Sequence, residues 1–354
     1  MAGGSFGDNM KIPSREHTLE NLIDKTHEAR VQKPRPHMGA SMLGHPCERW
    51  MWLSFRWAVQ PTFPGRVLRL FRRGHQEEAN IIADLRSAGI VVQPVAAQAG
   101  VNFGSHVSGS IDAIIESGVP DAPNKRHIGE FKTHSLKSFN DMEATGVEKS
   151  KPEHFAQMQI YMHGTGINRA LYVAVCKDND RLYTERVRYD KNVAEKYIGR
   201  GQRLALSERM PPPISTDPSW YQCKFCAAHS FCHETQLTEH VNCRTCAHST
   251  PKADSTWRCE RHDTNDILVE YQHEGCDSHT LHPDLVPWKM KDSGHDWVAV
   301  YEIDGHDVEN GEPCANVYSS KELLANASGC ANSTVSQIKQ IWPGARVVKH
   351  DPTS

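Results

Sequence analysis

The sequence predicts an α/β protein with cysteine-rich modules appended to its core, and three observations carry that expectation. Between residues 64 and 210, helical and strand-like patterns follow one another as helix, three strands, helix, two strands, helix. The runs are punctuated by turn formers, as in "GVPDAPNKR". After residue 222, cysteines cluster at C-x2-C spacing. The chain has 354 residues, 38% hydrophobic and 23% charged, which suits about two globular domains.

Residues 1–36 read as a flexible polar segment with one short helix. "ASMLGHPCERWMWLSFRW" becomes helical after Pro46. "PGRVLRLFRRGHQEEANIIADLRSAG" is the clearest helix, opened by Pro64 and Gly65 and closed by Gly89. Val67, Leu70, Phe71, Ile81, Ile82 and Leu85 form its apolar stripe. The strands are "IVVQPVAAQ", "HVSGSIDAIIES" and "HIGEFKTH". "KPEHFAQMQIYMHG" is the next helix, with Pro152 in its first turn and Gly164 after its end. "RALYVAVCK" and "RLYTERVRY" are strands around the turn "DND", and "KNVAEKYIGRGQRLALSERM" is a helix. "PPPISTDPSW" is a linker, and residues 291–354 read as a small mixed region with a strand at "WVAVYEI" and a helix at "SSKELLANAS".

No apolar run approaches membrane-spanning length and no signal-like pattern opens the chain, so a cytoplasmic protein without membrane attachment is expected. In a reducing compartment eleven cysteines point to metal rather than to disulfides. The net charge of −3 conceals an asymmetry. Residues 1–210 hold 29 Lys+Arg against 23 Asp+Glu, whereas residues 211–354 hold 11 against 20. A basic first part is compatible with nucleic-acid contact.

Asp112 lies in "SGSIDAIIES", and Glu130 and Lys132 lie in "GEFKTH". Residues i and i+2 of a strand share a face, so Glu130 and Lys132 point one way and Phe131 the other, into the core. With Asp112 on a neighbouring strand, two carboxylates would bind Mg²⁺ or Mn²⁺ and the lysine would orient water or stabilise phosphate charge. A solvated cross-strand face is the alternative.

This arrangement resembles the PD-(D/E)XK nuclease superfamily, with its αβββαβ core and mixed sheet flanked by helices, and within it the RecB-like exonuclease branch. The branch's Q-x-x-x-Y helix motif is matched by Gln157 and Tyr161. Its upstream G-x-x-x-H or G-x-x-x-E motif is matched by Gly74 and Glu78; the histidine form is absent, with His75 next to the glycine as the alternative. The resemblance implies metal ligation by Asp112, Glu130, Glu78 and the Phe131 carbonyl, with Lys132, Gln157 and Tyr161 completing the site. It also makes Arg49, and Ser41 less directly, contacts to a DNA phosphate.

Some of these nucleases carry a 4Fe–4S cluster on one cysteine before the core and three after it spaced C-x2-C-x5-C. Here Cys47 precedes the core, and Cys223, Cys226 and Cys232 follow in "WYQCKFCAAHSFC". Zn²⁺ is the competing ion, and His229, His233 or His240 could replace Cys47. A second group, Cys243, Cys246, Cys259 and Cys276, looks like a zinc ribbon over residues 236–290, with His262 as an alternative fourth ligand. Cys176, Cys314 and Cys330 are read as ordinary isolated cysteines.

The resemblance thus implies a nuclease domain over residues 37–235 and a metal-dependent DNA exonuclease acting on single strands or DNA ends. It would serve phage or bacterial recombination, repair or end processing, with a recombinase or single-strand-binding protein as partner. An endonuclease of the same fold, or an inactive DNA-binding scaffold with a zinc ribbon, are the alternatives.

Overall fold

The structure, a computed structural model, describes residues 18–30, 33–93, 100–292 and 297–349. Helix α1 (Leu19–Glu28) and strand β1 (Met38–Gly39) precede α2 (Glu48–Phe55) and the long α3 (Gly65–Ser87). Then come β2 (Val91–Val92), β3 (Gly100–Gly104), β4 (Val107–Ser110), β5 (Ala113–Ser117) and β6 (His127–His134). Helices α4 (Leu136–Thr145), α5 (Val147–Ser150) and α6 (Pro152–Thr165) lead to β7 (Arg169–Cys176), β8 (Leu182–Arg188) and α7 (Lys191–Ala205). The cysteine-rich part holds α8 (Tyr221–Lys224), β9 (Ser249–Pro251), β10 (Trp257–Cys259) and α9 (Val269–Glu274). The C-terminal part holds β11 (Lys289–Asp292), β12 (Ala299–Ile303), β13 (His306–Asn310), β14 (Val317–Tyr318), α10 (Ser320–Cys330) and α11 (Ser333–Ile341). No described helix is long and apolar enough to cross a membrane.

The central sheet has the order β2-β5-β6-β7-β8, with β6 and β7 parallel and the other pairs antiparallel. The α4–α6 crossover makes the parallel pair possible, because parallel neighbours cannot be joined by a hairpin. Alternation then sorts side chains by face. Phe131, Leu171, Val173 and Val175 pack with Ile81 and Ile82 of α3. Ile128, Ala170, Tyr172 and Ala174 join the core that contains Met158 and Ile160 of α6. Almost all of β7 is buried, as a central strand covered on both faces must be.

Four expectations need correction. The run His106–Ser117 is not one strand: it breaks at Ile111 and Asp112 into β4, which pairs with β1 and β3, and β5, which joins the central sheet. Asp112 therefore sits at the junction between two sheets rather than mid-strand. Within "IVVQPVAAQ" only Val91–Val92 is strand among the described residues, and 94–99 lie outside them. Helix α6 runs through Gly164 and ends at Gly166, whose φ is +70°. Gly164 is needed inside the helix because a Cβ there would sit 2.4 Å from Val101 Cγ1 and 2.6 Å from Phe103 Cε1 of β3. The apolar stripe of α3 is buried only near its end: Ile81 and Ile82 are covered, whereas Leu70 and Phe71 are exposed. The N-terminal half of α3 packs against α1, where Arg69 pairs with Asp24.

The second cysteine segment is joined to the main core through Trp257 and Ile267. Arg244, buried in that segment, lies 3.8 Å from the Trp57 ring centre and donates to the Phe55 and Pro36 carbonyls at 2.9 and 2.8 Å. A buried cation met by aromatic faces and carbonyls rather than a carboxylate holds two chain segments together without an ion pair.

Candidate active site

Glu130 and Lys132 project from one face of β6, and Asp112 meets them from the junction of β4 and β5. Lys132 Nζ lies 2.5 Å from Glu130 Oε1 and 3.3 Å from Asp112 Oδ2. It also donates to the Phe131 carbonyl at 3.0 Å. Asp112 Oδ2 accepts the Phe131 N–H at 3.1 Å. Glu130 is fully buried; its Oε2 accepts from Gln157 Nε2 at 3.1 Å. Its Oε1 pairs with the Lys132 ammonium.

Such crowding has electrostatic consequences. Burial pushes the Glu130 carboxyl up to about 7, with Asp112 and Glu78 adding to the shift and Lys132 opposing it. Burial alone would pull Lys132 down, but Glu130 and Asp112 hold its ammonium above the usual lysine range. Glu78 on α3 is raised by burial and then by the Asp112 charge. His75 lies 3.9 Å from Glu78 and is largely exposed. Two carboxylates, the Phe131 carbonyl and one ammonium therefore meet at this point, the ammonium offsetting the carboxylate charge.

Helix α6 covers this point. Gln157 and Tyr161, four apart, share a face. Tyr161 hydrogen-bonds Gln157, and burial followed by the nearby Glu130 and Asp112 charges raises its hydroxyl well above the usual range. A Cβ on Gly109 would lie 2.7 Å from Tyr161 Oη, so the glycine leaves room for the phenol. Ser41 is exposed on the turn Ala40–Met42 beside α6.

Three further side chains surround Lys132 and were not anticipated from the sequence. Tyr172, opposite Glu130 in the β6–β7 register, has its hydroxyl 2.8 Å from His134 Nε2 and 2.8 Å from His154 Nδ1. His134 Nδ1 in turn lies 3.2 Å from Ser138 Oγ. One signal was available: His154 precedes Gln157 by three residues and Tyr161 by seven, so the three share a helical face.

A groove of about 920 Å³ is lined by Arg30, Arg35, Arg72, Lys177, His75 and Glu78 among others. Among the described residues, none of Arg30, Arg35, Arg72 and Lys177 forms a salt bridge; local composition could not reveal this convergence of distant segments.

The thiols of Cys47, Cys223, Cys226 and Cys232 line one cavity, together with His229 and His233. His233 Nε2 is buried there without a hydrogen-bond partner among the described residues. Burial raises Cys223, Cys226 and Cys232, and Cys47 adds to each shift. Arg49 reaches the Cys232 thiol and donates to the Pro211 carbonyl at 2.8 Å, which places it at this cavity. Cys243, Cys246, Cys259 and Cys276 form a second group; burial pushes Cys243 and Cys246 up to about 12, and the neighbouring thiols add to it. His262 Nε2 lies 3.7 Å from Cys276 Sγ. No three His, Cys, Asp or Glu side chains among the described residues are drawn into a metal-holding arrangement as folded here. Cys176 and Cys330 are buried, and Cys314 is exposed.

No known family model matches the chain, and no curated protein matches it. Among solved structures, SSO0001 is 15% identical with a TM-score of 0.38, covering 61% of this chain and 97% of its own. LHK-Exo in complex with dAMP is 15% identical with a TM-score of 0.37, covering 52% and 89%. LHK-Exo from Laribacter hongkongensis, an alkaline exonuclease, is 17% identical with a TM-score of 0.34, covering 51% and 90%.

Proposed function

We propose that the chain is a metal-dependent deoxyribonuclease with a PD-(D/E)XK core, acting as an exonuclease on single strands or DNA ends. The observation that carries this reading is the meeting of Asp112, Glu130 and Lys132 at one point, with the Phe131 carbonyl beside them. A fully buried glutamate beside a second carboxylate suits a cation ligand, and oxygen donors fit Mg²⁺ or Mn²⁺. Asp112, Glu130, Glu78 and the Phe131 carbonyl would hold that ion, which would polarise the phosphodiester and favour hydroxide over water. Gln157 holds Glu130 in place, and Tyr161 braces Gln157. Lys132, fixed as an ammonium, orients the attacking water and balances charge on the phosphate. The groove lined by Arg30, Arg35, Arg72 and Lys177, which form no salt bridge among the described residues, suits a polyanionic strand.

The first four-thiol site is assigned to a 4Fe–4S cluster that staples Cys47 to the segment after the core. Zn²⁺ is the competing ion and His233 the competing ligand. The second group is assigned to structural Zn²⁺.

Linear and circular DNA, single- and double-stranded, incubated with Mg²⁺, Mn²⁺ or EDTA, tests the function. Metal-dependent loss of linear DNA only, abolished in Asp112→Ala and Lys132→Ala, is expected. Cleavage of circles would make it an endonuclease, and binding without any cleavage would make it a scaffold.

A further inference from the structure

Helix α6 presents a row of three polar side chains, His154, Gln157 and Tyr161, of which the last two are engaged with the carboxylates. The ring of His154 is held just as firmly, but from the other side. Its Nδ1 bonds Tyr172 Oη, and Tyr172 is fully buried and anchored in turn by His134, itself bonded to Ser138. A phenol has one proton, so Tyr172 donates to one imidazole and accepts from the other. The chain Ser138, His134, Tyr172, His154 therefore has a direction. In one direction each group donates towards His154, leaving Nε2–H as a donor at the end. In the other, Nε2 carries a lone pair. Among the described residues, His154 Nε2 has no hydrogen-bond partner, so three residues, Ser138, His134 and Tyr172, fix an imidazole whose outer nitrogen none of them uses.

We propose that His154 is a substrate-contacting residue, donating through Nε2–H to a non-bridging oxygen of the bound phosphodiester, with Tyr172 and His134 as the positioning residues that fix its tautomer. This rests on the nuclease reading above. An anion at Lys132 selects the donor direction, because a lone pair facing a phosphate oxygen is repulsive. The histidine stays neutral while it does so: burial, then Lys132, His134 and Lys151, hold it down at about 3. A neutral imidazole beside an ammonium adds a hydrogen bond without a second charge competing for the metal.

Side-chain replacements separate the two nitrogens, since glutamine can place an N–H near the Nε2 position and asparagine near Nδ1. His154→Ala and His154→Asn are expected to lower turnover roughly 10- to 100-fold, as for a hydrogen bond to a charged group, and His154→Gln to retain most of it. Tyr172→Phe, which keeps the buried ring, should slow the wild type but add little to His154→Ala. Thermal melting of each variant reports any separate loss of folding. Oligonucleotide affinity with Ca²⁺ in place of Mg²⁺ gives a readout without turnover: weaker in His154→Ala, preserved in His154→Gln. If the wild-type protein cleaves nothing yet this affinity pattern holds, the nuclease reading falls and the His154 contact stands. If the wild type cleaves, but His154→Ala matches it or the Tyr172→Phe loss adds in full, the proposal is overturned. Equal affinities across the variants overturn it as well.

Discussion

Glu130→Gln should make the protein more stable at alkaline pH while destroying its proposed chemistry. The side chain is fully buried, and its carboxyl is raised from an ordinary 4.5 to about 7. The folded state therefore binds this proton more tightly than the unfolded state. Stability from Glu130 is fully present below 4.5 and is lost as pH rises through 7. The gap of roughly 2.5 pH units, at about 1.36 kcal/mol each, amounts to about 3 kcal/mol. Glutamine keeps the shape and the bond from Gln157 but carries no titrating proton, so the variant's curve lacks this fall. Urea unfolding of both proteins between pH 4.5 and 8 in EDTA gives the assay. The stability of the variant relative to the wild type is expected to climb by about 3 kcal/mol across that window. Other titrating groups cancel in the difference unless they touch Glu130. Saturating Mg²⁺ should restore the wild type at pH 8 and leave the variant unmoved. A difference that stays flat within about 0.5 kcal/mol would refute the reasoning, because Glu130 would then ionise freely despite its burial.

Three other outcomes are expected. Gly109→Ala places a Cβ 2.7 Å from Tyr161 Oη and 2.9 Å from Ala40 Cβ, so it should push Tyr161 off the site and cut turnover on the order of 10- to 100-fold; wild-type turnover would show the phenol to be idle. Arg244→Met strips the Phe55 and Pro36 carbonyls of their donor and should cost about 3 kcal/mol in chemical unfolding; an unchanged midpoint would mean the second cysteine segment is anchored elsewhere. Protein purified without oxygen should be brown, and Cys47→Ser should lose iron and sulfide together; a colourless protein containing only zinc retires the cluster assignment.

Local pattern alone determined much of this protein. Proline and glycine punctuation placed α3, and period-two alternation put Glu130 and Lys132 on one face of β6 with Phe131 in the opposite core. Helical spacing paired Gln157 with Tyr161. These rules act within one element, so they are readable without knowing its neighbours. Strand breaks were less legible. Nothing in "SGSIDAIIES" shows that the run changes sheets at Asp112, because a sheet is defined by its partner strands. Gly164 looked like a helix end for a similar reason: its real role is to admit β3, a contact made across some sixty residues of chain.

The tertiary structure alone decided the surroundings of Lys132. Tyr172 reads as one more apolar strand residue, and His134 as one histidine among 21. Only the parallel pairing of β6 with β7, closed by α6, brings Tyr172, His134 and His154 to a shared hydroxyl. The groove of Arg30, Arg35, Arg72 and Lys177 arises in the same way, from segments that are close only once folded. Sequence carries the chemistry of each group and its local direction. Which groups share a dielectric, a proton or a ligand depends on long-range packing, and that is where the electrostatics of this site were set.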